Sequence, residues 1–406
     1  MDRGRTFGRD LSASFLVFLV ALPLCLGIAI ASGVPPARGL LTGIIGGIVT
    51  GTLAGAPLAV SGPAAGLTVL IFELVNQHGL AMLGPIVLIA GVLQILGGVA
   101  RIGGFVRLMP PAIVDGMLAA IGLILAAGQL QVMLGGAPAP GFIVNLLHMP
   151  ASLRHVNGAA LAVGLLSVAG LLAWERARPR LLADIPGALI GVTLATLAAT
   201  LLHLDVARIT LPGSLASAVS LPNAESWKVL LDPALLGAAL SVALIASVES
   251  LLSAAAVDRM SPGSKATDYS RELIAQGTGN MLCGVVGALP MTGVIVRSAA
   301  NVRAGARTRL SAILHGVWLL ALVVLAPGLL LLVPTASLAG LLVVVGLRLV
   351  NPGHVRVLAR DGWLPVALYG VTLAMILVTN LLTGVVVGVV CYAGSRALPL
   401  WHRRHV

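Results

Sequence analysis

Two charged side chains lie inside apolar stretches of the sequence, Glu249 in a long one and Arg297 in a short one. A charge at membrane depth is costly and by default functional. Ser253 follows Glu249 by four residues, a spacing that places both on one face of a helix. A buried carboxyl group can carry a proton or bind a cation, and a guanidinium attracts anions. The sequence therefore predicts a coupling-ion residue at Glu249 and a positive charge for an anion site at Arg297.

Each of these residues also has a structural alternative. Glu249 could accept hydrogen bonds from backbone at a helix break, and Arg297 could pair with Glu249 or extend to the cytoplasmic interface. His315 stands alone in an apolar run, where packing is the more ordinary role. Asp115 and Glu73 lie near the ends of apolar runs, where they are expected to be interfacial anchors.

Two apolar segments, 64–75 and 292–302, are too short to cross a membrane. At ~1.5 Å per residue, each covers roughly half of the hydrocarbon core. The extended-looking stretches Pro57–Gly62 and Val285–Met291 come before them. Each segment begins with a Pro-x-x-Gly pattern, at Pro63–Gly66 and at Pro290–Gly293. The start of a helix exposes unpaired N–H groups and a partial positive charge. Two such starts facing each other near the midplane would bind an anion.

The pattern therefore predicts that these two starts meet at a central cavity. Thr292 is placed to cap the second short helix through its hydroxyl, and Ser61 or nearby amides play the same part in the first. The predicted anion-binding residues in the two starts are Ala64, Ala65, Gly66, Thr292, Gly293 and Val294.

The composition identifies a polytopic membrane protein. Of 406 residues, 58% are hydrophobic and 10% charged, with a mean hydropathy of +1.05. The net charge of +11 is dispersed over many short loops, so nucleic acid is not an expected partner. Metal-ligand spacings, phosphate-binding glycine loops and nucleophile motifs are absent from the sequence, so we expect neither an enzyme nor a cofactor. The expected spans are 11–31, 39–55, 80–100, 112–133, 157–174, 183–203, 234–256, 272–288, 309–326, 331–350, 363–380 and 381–396.

Basic residues alternate in density along the gaps between these spans. Of the 25 Lys and Arg residues, 20 fall in one alternating set of gaps and only Arg38, Arg154, Arg208 and Lys228 fall in the other. Basic residues concentrate on the cytoplasmic side. The split predicts an even number of spans with both termini in the cytoplasm, and it leaves Arg297 as the one cation within the membrane zone.

Counting the two short segments gives fourteen, and they occupy the third place in each group of seven. Because seven is odd, the two groups have opposite orientations in the membrane. Paired short segments at matching positions point to a transporter site between inverted repeats. The predicted fold is all-α, with fourteen segments in a seven-plus-seven inverted repeat.

Several motifs in chain order resemble the SulP family of sulfate-permease-type anion transporters. They are Val20–Pro23, Ala31–Pro36, Ser61–Pro63, Glu249–Leu252, Gln276–Asn280 and Asn301–Thr308.

The resemblance implies a core domain formed by residues 1–110 and 234–327, and a gate domain formed by 111–233 and 328–406. It implies a substrate site formed by the backbone around Leu24 and Cys25 together with Ala64–Gly66, Glu249, Ser253, Thr292–Val294 and Arg297. Family members usually carry a cytoplasmic STAS domain, which is not expected within these residues. Arg38 stands where the family often has an acidic residue.

The predicted function is secondary active transport of small anions of the sulfate, bicarbonate, chloride or dicarboxylate class. Proton-coupled symport with elevator-like movement of the core is favoured. The expected location is the bacterial inner membrane, and a second copy of the chain is an expected partner. Sodium-coupled bicarbonate symport, anion exchange, a passive channel and a force-responsive membrane protein remain open. Related nucleobase and borate carriers would have a second carboxylate on the tenth segment, where this chain has Arg297.

Overall fold

The computed structural model describes residues 3–104, 110–139, 141–177, 185–210, 218–222, 227, 232–261 and 266–402. Several basic residues used in the topology prediction lie outside these ranges, namely Arg107, Arg178, Arg180, Lys228, Lys265, Arg403 and Arg404.

The described chain is mostly helical, with one short two-stranded sheet. The helices of the first half are α1 (Arg3–Ala31), α2 (Pro36–Ile45), α3 (Gly51–Leu53), α4 (Thr68–His78), α5 (Leu80–Val99), α6 (Pro111–Met133), α7 (Phe142–Arg154), α8 (Gly158–Ala177) and α9 (Gly187–Leu201). Those of the second half are α10 (Pro233–Met260), α11 (Tyr269–Val286), α12 (Ile295–Arg303), α13 (Leu310–Leu325), α14 (Pro327–Leu331), α15 (Thr335–Leu349), α16 (Pro352–Arg360), α17 (Trp363–Val378) and α18 (Leu381–His402). The strands are β1 (Ser61–Pro63) and β2 (Met291–Gly293).

Six of the described helical stretches are long and apolar enough to cross a membrane, and four shorter apolar helices accompany them. Many of their large apolar side chains remain exposed, including Leu96, Leu147, Leu201 and Leu325. Such an apolar exterior suits lipid as the surrounding solvent. The protein is an integral, multi-pass membrane protein, and the expected all-α membrane architecture is confirmed.

The second predicted span is not one regular α-helix. A π-helical turn, Gly46–Thr50, joins α2 to α3. This segment lies so close to α13 that a Cβ on Gly47 would be 2.7 Å from the Cα of Gly316. The α5–α11 contact is equally close, since a Cβ on Gly277 would be 2.6 Å from the carbonyl oxygen of Gly91. Glycine at these positions allows helix backbones to touch.

Many helix contacts recur seven segments apart when α2 to α3 is counted as one segment and the connecting helices α7, α14 and α16 are left out. Helix α1 packs on α13 as α10 packs on α5. Helix α6 packs on α17 as α15 packs on α8, and α8 packs on α9 as α17 packs on α18.

Both predicted short helices are present, but they begin later than expected. The first consists of a 3₁₀ turn, Ala65–Leu67, followed by α4, and the second is α12. Residues 61–63 and 291–293 form strands instead. The extended stretches were expected to end at 62 and 291. They continue further because the two strands hydrogen-bond each other.

Candidate functional site

The two short helices begin beside an antiparallel pair of strands. In the β1–β2 ribbon, Gly62 lies opposite Thr292 and Ser61 lies opposite Gly293. The Val294 amide extends the pairing by donating to the Val60 carbonyl at 2.9 Å. The segments containing Ala64–Gly66 and Thr292–Val294 therefore meet, and the central cavity between them stays a prediction.

The ribbon has two chemically different faces. Residues opposite each other in a strand pair point to the same face, and neighbours along a strand alternate. Gly62 and Thr292 therefore share one face, here called the open face. Ser61 and Gly293 share the other, here called the α11 face, and Met291 points the same way.

Arg297 packs against the open face. Its side chain is 0% exposed, and a Cβ on Gly62 would overlap its Nη1 atom. Nε, Nη1 and Nη2 have no hydrogen-bond partner among the described residues. The expected alternatives are wrong for this side chain, because it neither pairs with Glu249 nor reaches the interface.

Thr292 also carries an unpaired group on this face. The residue is fully buried, and its Oγ1 has no described hydrogen-bond partner. The prediction that Thr292 caps the second short helix is wrong. The N-cap of α12 is Val294, which makes no side-chain capping bond. Thr292 cannot take that position because it belongs to β2, two residues before Val294.

Glu249 lies beside the start of the first short helix. A Cβ on Gly66 would be 2.7 Å from its Oε2, and the Gly66 amide lies within hydrogen-bonding reach of the carboxylate. Oε2 is buried and has no hydrogen-bond partner within the described chain. The structural alternative, a carboxylate bonded to backbone at a helix break, stays a prediction, because the Gly66 amide lies beside the carboxylate.

The neighbours of Glu249 on α10 have different environments. Ser253 is buried on the same helix. Ser250, which was not among the predicted site residues, accepts a hydrogen bond from the Gly293 amide at 3.0 Å. This bond ties α10 directly to the ribbon. Ser250 was overlooked because a serine hydroxyl in a helix has no distinctive sequence signal.

Cys25 and His315 complete the surroundings of Arg297. The Arg297 charge acts on both side chains, and both are fully buried. His315 Nδ1 lies 2.6 Å from the Ala312 carbonyl, as expected of a packed histidine. Its Nε2 has no described partner. Two helices distant in sequence, α1 and α13, thus meet at one guanidinium.

Two buried carboxylates escaped the sequence analysis. Glu272 accepts two backbone hydrogen bonds from Gly55 and Ala56, each at 2.9 Å. Asp10 accepts from the amides of Arg307 and Thr308. Both lie just outside the predicted spans or at their edge, where a carboxylate is usually solvated, so the sequence contained little sign that they are buried.

Comparison with known proteins identifies the family of this chain. The model of the Sulfate permease family matches residues 7–362. The chain belongs to the sulfate permease family. The resemblance seen in the motifs is therefore confirmed over most of the chain.

The relatives include transporters from several bacteria. The chain is 31% identical over 398 residues to a Bacillus subtilis protein named "Putative sulfate transporter YvdB", covering 95% of this chain and 73% of that one. It is 27% identical over 405 residues to the bicarbonate transporter BicA of Picosynechococcus, covering 95% of this chain and 69% of that one.

Solved structures share the fold. The transmembrane domain of a cyanobacterial bicarbonate transporter, BicA, superimposes with a TM-score of 0.83 at 25% identity, covering 95% of this chain and 98% of that one. The structure of SLC26A9 has a TM-score of 0.82 at 18% identity, covering 99% and 66%, and supports the fold alone.

Proposed function

We propose that this protein is a secondary active transporter that binds a small anion on the open face of the ribbon. The observation that carries the proposal is the set of unpaired buried groups there, the three guanidinium nitrogens of Arg297 and the hydroxyl of Thr292. Leaving such groups buried without partners is costly, most of all for a charge. A bound anion would satisfy them.

The short helices add to this binding site. The N-terminal amides of α12 and of the turn before α4 are not all paired within their helices, and their dipoles favour negative charge nearby. Ala64–Gly66 and Thr292–Val294 would supply backbone contacts, with Cys25 and Ser253 at the edges. A site of this kind selects an anion mainly by its charge and size. Sulfate and bicarbonate, the anions in the relatives' names, are therefore the first candidates.

Glu249 is the proposed coupling group. Its carboxylate lies against Gly66, beside the proposed anion site. An anion entering next to an ionised carboxylate would be repelled. Protonation removes this repulsion, so proton and anion would bind together and move in the same direction. We therefore favour proton–anion symport.

We further propose that transport occurs by displacement of a core domain, 1–110 with 234–327, against a gate domain, 111–233 with 328–406. The recurrence of helix contacts seven segments apart supports an inverted repeat, the architecture in which such movements occur. The charge alternation supports cytoplasmic termini, and the bacterial relatives support the inner membrane. A homodimer remains part of the proposal.

Sodium-coupled bicarbonate symport is the second candidate, because bicarbonate is the substrate named for BicA. An anion exchanger or a passive channel would use the same open face without obligatory coupling at Glu249. A force-responsive membrane protein would need no buried carboxylate beside the site.

Uptake into proteoliposomes separates these functions. Labelled sulfate, bicarbonate, chloride and a dicarboxylate should be offered under imposed proton and sodium gradients. The proposal expects saturable uptake of at least one anion, driven by a proton gradient and indifferent to sodium. Sodium-driven uptake would favour the second candidate. Conductance without saturation would indicate a channel, and no flux of any anion would contradict transport.

A further inference from the structure

One face of α11 carries three buried polar side chains at a spacing of four residues. Glu272, Gln276 and Asn280 are 1%, 0% and 0% exposed. Positions four apart on a helix lie one above another. Most polar groups buried in this way are hydrogen-bonded. Each of these three side chains has at least one partner in or just before the two strands.

The first member of the row holds the chain that leads into β1. Glu272 Oε2 accepts from the Gly55 and Ala56 amides at 2.9 Å each. Its Oε1 accepts from Gln276 Nε2 at 2.8 Å. The carboxylate therefore fixes both the entry to the strand and the orientation of the next amide in the row.

The other two members hold the strands themselves. Gln276 Nε2 also donates to Ser61 Oγ at 2.7 Å. Asn280 Oδ1 accepts from the Met291 amide at 2.7 Å, and its Nδ2 donates to the Met291 carbonyl at 3.1 Å. Helix α11 is thus hydrogen-bonded to β1 through Gln276 and to β2 through Asn280.

These hydrogen bonds lie on the α11 face of the ribbon, opposite the proposed anion site. Ser61 and Met291 point to the α11 face, whereas Thr292 and Gly62 point to the open face. A shift of either strand toward or away from α11 would move Thr292 and the starts of both short helices. Displacements of about 1 Å are enough to reduce a site's function severely.

We propose that Glu272, Gln276 and Asn280 are positioning residues that set the geometry of the anion site from the opposite face of the ribbon. This inference rests on the proposed function, since the geometry being set is that of the proposed binding site. It assigns to α11 a role that no group on the open face performs.

The test uses Gln276→Met, which keeps the length of the side chain and removes its hydrogen bonds. Radiolabelled sulfate uptake should show a KM raised at least about fivefold, the equivalent of roughly one hydrogen bond, with a smaller change in the maximal rate. Gln131→Met is the matched control. Gln131 is a buried glutamine on α6 that donates to a backbone carbonyl away from the ribbon, and its variant should keep the wild-type KM.

A double-mutant cycle separates positioning from general destabilisation. If Gln276 acts through Ser61, then Gln276→Met should add little to the KM change already caused by Ser61→Ala, because interacting residues are not additive. Full additivity, or a wild-type KM in Gln276→Met, would overturn the role of Gln276. Glu272→Gln provides the same comparison if Gln276→Met does not fold.

Hydrogen exchange provides a readout that does not depend on transport. Peptides covering residues 61–63 and 291–293 should exchange faster in Gln276→Met than in Gln131→Met. Unchanged exchange would refute the inference even if the wild type transports sulfate. If the wild type takes up no sulfate but Gln276→Met still exchanges faster, the result would support the positioning of the strands by α11. It would at the same time count against sulfate as the substrate.

Discussion

At the residue scale, buried polar atoms without partners define the candidate site. Thr292 Oγ1, Glu249 Oε2 and the three guanidinium nitrogens of Arg297 are all unpaired within the described chain. On the α11 face, Ser61 Oγ and both backbone groups of Met291 are hydrogen-bonded instead, and the unpaired atom there is the uncharged Gln276 Oε1. The contrast between the two faces of a six-residue ribbon separates a surface that requires a ligand from one that holds the structure together.

Thr292→Val tests whether this hydroxyl serves the ligand. An unpaired buried hydroxyl costs about 1–3 kcal/mol, so the isosteric valine should leave Tm unchanged or raise it. If the hydroxyl binds the anion, the KM for uptake should rise several-fold. Thr42→Val is a useful contrast, because Thr42 Oγ1 donates to the Leu289 carbonyl at 2.9 Å. That variant should lower Tm. An unchanged KM in Thr292→Val would remove the hydroxyl from the site.

Glu249→Gln tests coupling, because the amide mimics the protonated carboxyl group. The variant should bind and exchange anion yet lose uptake driven by a proton gradient. Wild-type uptake should fall as the pH on the anion-loading side rises, since fewer carboxyl groups are protonated there, and this dependence should disappear in the variant. Concentrative uptake with the wild-type response to pH would mean that Glu249 is structural.

At the element scale, two short helices and a ribbon replace what would otherwise be two kinked spans. Each short helix begins only after its strand ends, so its first amides lie beside the partner strand. The close packing there depends on glycine. Gly62 leaves room for Arg297 and Gly66 leaves room for Glu249.

Gly66→Ala tests this close approach. The added Cβ would lie 2.7 Å from Glu249 Oε2, so the carboxylate or the helix start must move, and uptake should fall at least tenfold. Gly237→Ala on α10 is the control, since a Cβ there would meet nothing within 4 Å. Alanine also favours a helix over glycine. Equal activity in the two variants would contradict the proposed proximity.

At the scale of the whole molecule, the proposed function requires a fixed orientation in the membrane and a movement of the core domain. The charge alternation predicts that Arg176, at the end of α8, and Arg356, within α16, face the cytoplasm. Cysteines at these positions, introduced after Cys391 has been replaced, should resist a membrane-impermeant thiol reagent applied to intact cells and react after permeabilisation. Reaction of both from outside would reverse the topology.

Displacement of core against gate can be tested by crosslinking α1 to α6. Ala31 and Leu125 line one small cavity between these helices, so cysteines there can be joined by a short bifunctional reagent. The crosslink should stop uptake while anion binding stays measurable. The control joins α1 to α13 within the proposed core, at Phe15 and Trp318, whose rings are 5.9 Å apart. This second crosslink should be tolerated. Full uptake by the first crosslinked sample would refute the movement.

The sequence by itself determined the membrane architecture and the two short helices. Apolar runs and charge density are local properties that follow directly from the cost of placing charges and unpaired backbone in lipid. The position of Glu249 and Arg297 within the membrane was predictable for the same reason. The SulP motifs then identified the family.

The tertiary structure decided which side chains meet. Thr292 looked like a helix cap, but pairing with Gly62 holds it in a strand. Arg297 and Glu249 looked like a possible ion pair, but they pack against different residues, Gly62 and Gly66. Glu272 is buried because it binds Gly55 and Ala56, more than two hundred residues away. Such contacts depend on which strands pair and which helix backbones touch, and no local pattern of residues specifies those distances.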